Sequence, residues 1–159
     1  MKIQISKVQY LRLLKLVYLG NWMINAIRSG QKGDEMIEEY DELEQYIFSH
    51  AEKFGIGKYI HFDKELGKYY PTHNFEFHTD IEKYRSEYNE DIFWEEVVHR
   101  LAERDLLKTY TLEELQHMDM ETYWQNIEPF ERKYNDEMEM SGVDRLVIDV
   151  TKDNKRMVN

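Results

Sequence analysis

The chain has 159 residues, which favours one compact domain with room for a sizeable core. It contains no cysteine, so disulfides, thiolate metal sites and a cysteine nucleophile are excluded. Its formal net charge is −11, which repels a phosphate backbone and argues against direct nucleic-acid binding. The absence of cysteine is compatible with a reducing compartment, and we expect a cytoplasmic protein.

The charge is distributed unevenly along the chain. Residues 1–33 carry six bases and no acid, whereas the segments 34–54, 76–96 and 113–140 carry net charges of −7, −6 and −7. Two interpretations stay open. Either the acidic helix faces only keep the protein soluble, or they face a cationic partner.

The first predicted element is a long helix with apolar residues on nearly every side. Ser6 and Gln9 form a capping-box pattern at its start, and it runs to about Ser29. Such a helix is usually central in a core or shared with a partner subunit, so a homo-oligomer through this helix is expected as one outcome. Gly20 costs about 1 kcal/mol relative to alanine, and a close helix crossing would explain it. The uncharged run 16–27 falls short of the roughly 20 residues needed to cross a bilayer, so no membrane association is expected.

The remaining pattern predicts more helices and a small sheet. Helix two has a one-sided apolar stripe, and a β-hairpin follows it, with Pro71 ending the second strand. Pro129 should kink or break the last long helix. Helix two is predicted over 35–54, and the two strands of the hairpin over 58–62 and 68–70. The later helices are predicted over 79–88, about 89–107 and 120–140, with a short helix that starts at residue 111. A further strand is predicted over 145–150.

Together these elements predict a mainly α fold. We expect a single helical domain over residues 1–150, with five to seven helices and an accessory β-hairpin or three-stranded sheet. Residues 151–159 are expected to form a flexible C-terminal tail.

Two Glu-x-x-His triplets form the first candidate site, Glu96 with His99 and Glu114 with His117. Residues three apart share a helix face, so each triplet offers a carboxylate and an imidazole to one metal ion, as in di-metal helical bundles. A helical projection places Glu96 and His99 away from the apolar stripe of their helix, which favours two solvated polar faces instead.

A second candidate lies in the histidine-rich segment 73–78. If this segment is extended, Glu76 and His78 share one face and form a natural pair for zinc or manganese. The alternative is a surface connector that happens to contain histidine.

Asp105 is the third candidate, because the same projection puts it within the apolar stripe. An inward carboxylate must find donors or become protonated. A structural partner such as a Tyr hydroxyl, an Arg or a free helix-terminal amide is favoured. Beside a pocket, Asp105 would be the leading acid–base residue.

No serine-nucleophile or phosphate-loop motif is present in the sequence. The sequence therefore predicts a soluble acidic, non-enzymatic interaction or regulatory module, for example of immunity, antitoxin or adaptor type. We expect a basic protein partner and no cofactor. Two alternatives stay open: a metal-dependent enzyme built on the Glu-x-x-His pairs, and a nucleic-acid mimic that inhibits a DNA-binding protein.

Overall fold

The computed structural model describes residues 3–147, which form six α-helices, one short 3-10 helix and a two-stranded antiparallel sheet. This confirms the predicted mainly α class with a small β-hairpin. The elements are α1 (Lys7–Asn25), α2 (Glu38–Phe48), the 3-10 helix (Gly57–Tyr59), β1 (Ile60–Asp63), β2 (Lys68–Pro71), α3 (His73–Phe77), α4 (Ile81–Leu106), α5 (Leu112–His117) and α6 (Met120–Ser141). None of the described helices combines the length and the apolarity that a bilayer span requires.

The chain divides into two compact units, and the boundary between them falls within α4. Unit 1 extends to Tyr88 and unit 2 begins at Asn89. Each unit has its own apolar cluster and is described by itself below. The expectation of one domain over residues 1–150 stays a prediction.

In unit 1, α1 and α2 form an antiparallel helical hairpin. The Tyr10 hydroxyl near the start of α1 donates to the carbonyl of Ile47 near the end of α2. At the other end, the side-chain oxygen of Asn25 accepts from the backbone N–H of Ile37 at 2.9 Å. Because residue numbers rise along one helix as they fall along the other, the two helices run in opposite directions.

The core of unit 1 is built around Phe75 of α3. Its ring makes edge-to-face contacts with Tyr18 of α1, Phe48 of α2 and Tyr59 of the 3-10 helix, at centroid distances of 5.4, 6.5 and 6.1 Å. Such aromatic pairs contribute beyond their buried area. The buried members of this cluster are Tyr10, Leu14, Phe48, Ala51, Ile56, Phe75 and Ile81.

The β-hairpin of unit 1 forms as predicted, but β1 begins at Ile60 rather than at residue 58, because Gly57–Tyr59 forms the 3-10 helix. Ile60 pairs with Pro71 and Asp63 with Lys68. Pro71 ends β2, as the sequence predicts, because proline lacks the N–H that would continue a ladder.

In unit 2, α4 packs on α6. Ala102 and Leu106 of α4 and Ile127 of α6 are fully or almost fully buried. Tyr110, Leu115, Tyr123, Phe130 and Tyr134 pack around them.

Several predicted boundaries are wrong. α1 ends at Asn25 rather than near Ser29, and α2 covers Glu38–Phe48 rather than 35–54. The predicted restart at Asn89 does not occur, since α4 runs unbroken from Ile81 to Leu106 and contains neither Gly nor Pro. α6 likewise continues through Pro129, so of the kink or break predicted there, the break is absent.

The predicted strand at 145–150 is not formed by its described part. Residues 145–147 are turn and irregular structure, and residues 148–150 lie outside the described residues, as does the predicted tail 151–159. Within residues 3–147 the sheet therefore has two strands rather than three.

Only one side of α1 enters the core, although the helix is apolar on nearly every side. Tyr10 and Leu14 are buried, whereas Leu16 and Met23 are exposed. The close crossing expected at Gly20 is absent from the described chain, since no atom outside its own helix lies within 4 Å of the position a Cβ would take.

Candidate functional site

A cleft with a volume of about 750 Å³ lies in unit 2, between α4 and α6. Acidic and aromatic side chains dominate its walls. The lining residues are Asp91, Trp94, Glu95, Glu96, Val98 and His99 from α4, and Trp124, Glu131 and Asn135 from α6.

Helical periodicity explains why these side chains meet. Asp91, Glu95 and His99 follow one another at four-residue steps, so they lie in a row on one face of α4. On α6, Glu131 and Asn135 are also four residues apart. We call this arrangement the acidic cleft.

Two of the four carboxylates of the acidic cleft are paired within the protein. Glu96 accepts from Arg100 on the next turn of α4 at 2.8 Å. Glu131 of α6 lies 2.9 Å from Nδ1 of His99. Within residues 3–147, neither Asp91 nor Glu95 forms an ion pair, so these two carboxylates carry charge that the described chain does not neutralise.

The imidazole of His99 links α4 to α6. The hydrogen bond with Glu131 raises the pKa of His99, burial opposes this, and Glu103 adds to the rise. Nε2 of His99 lies 3.5 Å from the Glu103 carboxylate. Protonation of His99 would therefore reduce the negative charge of the acidic cleft.

Two tryptophans form the aromatic part of the acidic cleft. The Trp94 indole N–H donates to Glu90 at 2.6 Å, which fixes the ring on α4. Trp124 is 51% exposed. Within the described residues, the cations stacked on aromatic rings of unit 2 are Arg104 and Lys133, and both lie over Tyr134 rather than over a tryptophan.

The two Glu-x-x-His triplets do not come together. Glu96 and His99 line the acidic cleft, whereas Glu114 caps α5 by accepting from the backbone N–H of Thr111 at 2.7 Å. Nδ1 of His117 lies 2.8 Å from the backbone carbonyl of Glu113. No group of three or more His, Asp or Glu side chains in residues 3–147 is placed to hold a metal ion.

The Glu76 and His78 pair is separated by the helical conformation of its segment. Residues 73–77 form α3, so the extended strand assumed from the sequence is wrong. Glu76 instead accepts a hydrogen bond from the Tyr18 hydroxyl at 2.9 Å, and His78 follows the last residue of α3. Burial and the Glu76 hydrogen bond raise the pKa of Tyr18 to about 12.

The carboxylate of Asp105 is held by neighbouring side chains of α4 and α6 and by Lys108. Its carboxylate accepts from the Tyr134 hydroxyl of α6 and forms ion pairs with Arg104 and Lys108. The Lys108 and Tyr134 hydrogen bonds hold the pKa of Asp105 well below its usual range. The sequence analysis named a Tyr hydroxyl and an Arg among the expected partners of Asp105, and both are found. Asp105 is not among the residues that line the acidic cleft.

Sequence reasoning missed the α6 half of the acidic cleft. Trp124 and Glu131 are seven residues apart, which places them on one face of a helix. That spacing was a usable signal. Nothing local to the sequence indicated that this face of α6 lies beside residues 91–99 of α4.

No family model, curated protein or solved structure matches this chain.

Proposed function

We propose that the chain is a non-enzymatic protein-interaction module whose acidic cleft binds a basic segment of another protein. The observation that carries this proposal is the combination of uncompensated carboxylates with two tryptophans in one cleft of about 750 Å³. The ligand class is an arginine-rich or lysine-rich peptide segment.

Charge supplies the first part of the argument. Asp91 and Glu95 lie one helical turn apart on the wall of the acidic cleft. Carboxylates in a concave site focus the field, which attracts cationic ligands and speeds their encounter. A basic segment that pairs with both removes the repulsion between them.

The tryptophans supply the second part. A guanidinium or ammonium placed over an indole face is attracted by the ring quadrupole by about 0.5–2 kcal/mol. Trp124 is also the type of residue that carries much of the binding energy at protein interfaces. An acidic surface without aromatic rings would attract cations but would select among them poorly.

Binding of a fluorescent octa-arginine peptide to the full chain tests the proposal. The double variant D91N/E95Q is expected to weaken binding about tenfold, because it removes the two uncompensated charges. The matched control is E39Q/E65Q, which changes the net charge equally at exposed positions of unit 1. This control should change the dissociation constant less than about twofold.

The variant W124L tests the aromatic contribution separately. It leaves all charges in place and is expected to weaken octa-arginine binding about threefold to tenfold. Equal losses for D91N/E95Q and E39Q/E65Q would mean that the peptide follows net charge alone, and the proposal would then be wrong.

A further inference from the structure

The imidazole of His99 lies between two carboxylates where α4 meets α6. Its Nδ1 atom is 2.9 Å from the Glu131 carboxylate of α6, and its Nε2 atom is 3.5 Å from the Glu103 carboxylate of α4. The Tyr123 hydroxyl of α6 also donates to Glu103, at 3.4 Å. A neutral imidazole donates from only one ring nitrogen, whereas the protonated ring donates from both. Protonation of His99 thus gives each of the two carboxylates a charged donor.

Carboxylates also dominate the rest of the described surroundings of His99. The hydrogen bond with Glu131 raises the pKa of His99 more than burial lowers it, and the charge of Glu96 adds to the rise. Glu95 lies one helical turn before His99 on α4. The neighbouring base, Arg100, is paired with Glu96 at 2.8 Å. These contacts on α4 and α6 favour the charged imidazole.

His99 is close enough to the unpaired carboxylates of the acidic cleft to influence a ligand bound there. Asp91, Glu95 and His99 all line the cleft, in a row at four-residue steps. That spacing places the Cβ atoms of Glu95 and His99 about 5–6 Å apart. This separation is shorter than the Debye length of about 8 Å at physiological ionic strength. A proton on His99 therefore repels a cation that is bound at Glu95.

We propose that His99 makes the acidic cleft a pH-dependent binding site, which holds a basic segment at slightly alkaline pH and releases it as the solution becomes mildly acidic. This inference rests on the proposed function, because it concerns the same ligand and the same cleft. The neutral imidazole leaves Asp91 and Glu95 to pair with the ligand. The imidazolium adds a positive charge beside them and holds Glu131 in an ion pair. Both changes weaken the attraction for a cationic ligand.

The coupling between the proton and the ligand acts in both directions. If protonation of His99 weakens ligand binding by a given factor, a bound ligand must oppose protonation of His99 by the same factor. A cationic ligand in the acidic cleft should therefore lower the pKa of His99. This second effect is observed at the imidazole itself and does not require an affinity measurement.

Binding of the fluorescent octa-arginine peptide to the full chain at a series of pH values, in about 150 mM NaCl, tests the proposal. Between about pH 6 and about pH 8.5, Asp91 and Glu95 stay ionised, because this range lies above the ordinary carboxyl pKa. We expect the dissociation constant to be about threefold larger at about pH 6 than at about pH 8.5, the effect of one added charge about 6 Å from the bound cation.

The variant H99Q separates His99 from the other titrating groups. Glutamine can still donate to Glu131 but does not gain a proton, so H99Q should lose most of the pH dependence. The matched control is H117Q, because His117 also belongs to unit 2 and is not among the residues that line the acidic cleft. H117Q should keep the threefold change. Burial raises the pKa of Glu44 to about 7, but Glu44 is unchanged in both variants and does not distinguish them.

Titration of the imidazole signals by NMR, with and without saturating octa-arginine, measures the reciprocal effect. The pKa of His99 should be lower with the peptide bound, whereas the His117 signals should titrate as they do without peptide. A His99 titration that the peptide leaves unchanged would overturn the proposal.

The outcomes distinguish this proposal from the proposed function. Binding that depends on Asp91 and Glu95 but is equally tight across the pH range would overturn the role of His99 and leave the proposed function standing. Tighter binding at acidic pH, or the same pH dependence in H99Q and H117Q, would also overturn the role of His99. A chain that does not bind octa-arginine at any pH would overturn both proposals.

Discussion

The side-chain amide of Asn21 donates a hydrogen bond to the carboxylate of Glu44 at 3.1 Å, joining α1 to α2. Glu44 is only 9% exposed, and burial raises its pKa to about 7. The Asn21 hydrogen bond acts in the opposite direction, and the charge of Asp41 adds to the rise. The carboxyl group of Glu44, in the α1–α2 helical hairpin, thus has a pKa near neutrality.

The first prediction is that Glu44 makes stability fall as pH rises. The folded state holds the proton up to about pH 7, whereas the unfolded chain releases it near the ordinary value of 4.5. The folded state therefore binds more protons in this window, and the free energy of unfolding decreases across it. E44Q should remove this decrease and be more stable than the original chain by about 1–3 kcal/mol at about pH 8.

Urea unfolding at a series of pH values measures this effect. The matched control is E42Q, an exposed glutamate on the same helix, which should keep the original pH dependence. If the free energy of unfolding changes with pH in the same way for the original chain and for E44Q between about pH 5 and about pH 8, Glu44 keeps an ordinary pKa and the prediction is wrong.

The second prediction concerns the aromatic core of unit 1. Phe75 is fully buried and contacts three other rings, so F75A should lower the free energy of unfolding by about 3–5 kcal/mol. Phe77 lies on the same short helix and is exposed, and F77A should cost less than about 1 kcal/mol. Denaturant unfolding of the two variants provides the comparison. A similar loss for both would mean that α3 does not anchor the core through Phe75.

The third prediction concerns Asp105 and Tyr134, which connect α4 to α6. D105N removes a carboxylate whose partners are mostly charged, and it should destabilise the chain by about 1–3 kcal/mol at neutral pH. Because the pKa of Asp105 is lowered in the folded state, its contribution is present above the ordinary carboxyl pKa and is lost as pH falls through the lower folded value.

Unfolding curves at several acidic pH values check both parts. The difference between D105N and the original chain should shrink as the solution is made strongly acidic. D136N, at an exposed position of α6, should stay close to the original chain at every pH. A constant D105N difference at all pH values would contradict the lowered pKa.

The fourth prediction concerns the imidazole in the acidic cleft. His99 owes its raised pKa first to Glu131, so E131Q should lower the pKa of His99. Titration of the imidazole signals by NMR measures this directly. E121Q, on the same helix but outside the acidic cleft, should leave the His99 titration unchanged. A His99 titration that does not respond to E131Q would show that the two side chains are not hydrogen bonded.

Local features of the sequence were sufficient to predict parts of the fold. The capping box predicted at Ser6 with Gln9 is formed, because it involves residues only three apart. The hairpin strands and the stop at Pro71 were also predictable, since they follow from alternation and from the missing N–H of proline. Prediction was wrong at Asn89, where no strong helix breaker was present and the helix continues.

The sequence by itself determined the mainly α class, the cap of the first helix and the hairpin, because these depend on neighbouring residues and on one-dimensional periodicity. Only the tertiary structure decided the roles of the candidate side chains. In the folded chain Glu76 accepts a hydrogen bond from Tyr18, Asp105 accepts one from Tyr134, and Glu131 lies beside His99. These partners are 29 to 58 residues apart in the chain, so their contact depends on how helices pack and not on any local pattern.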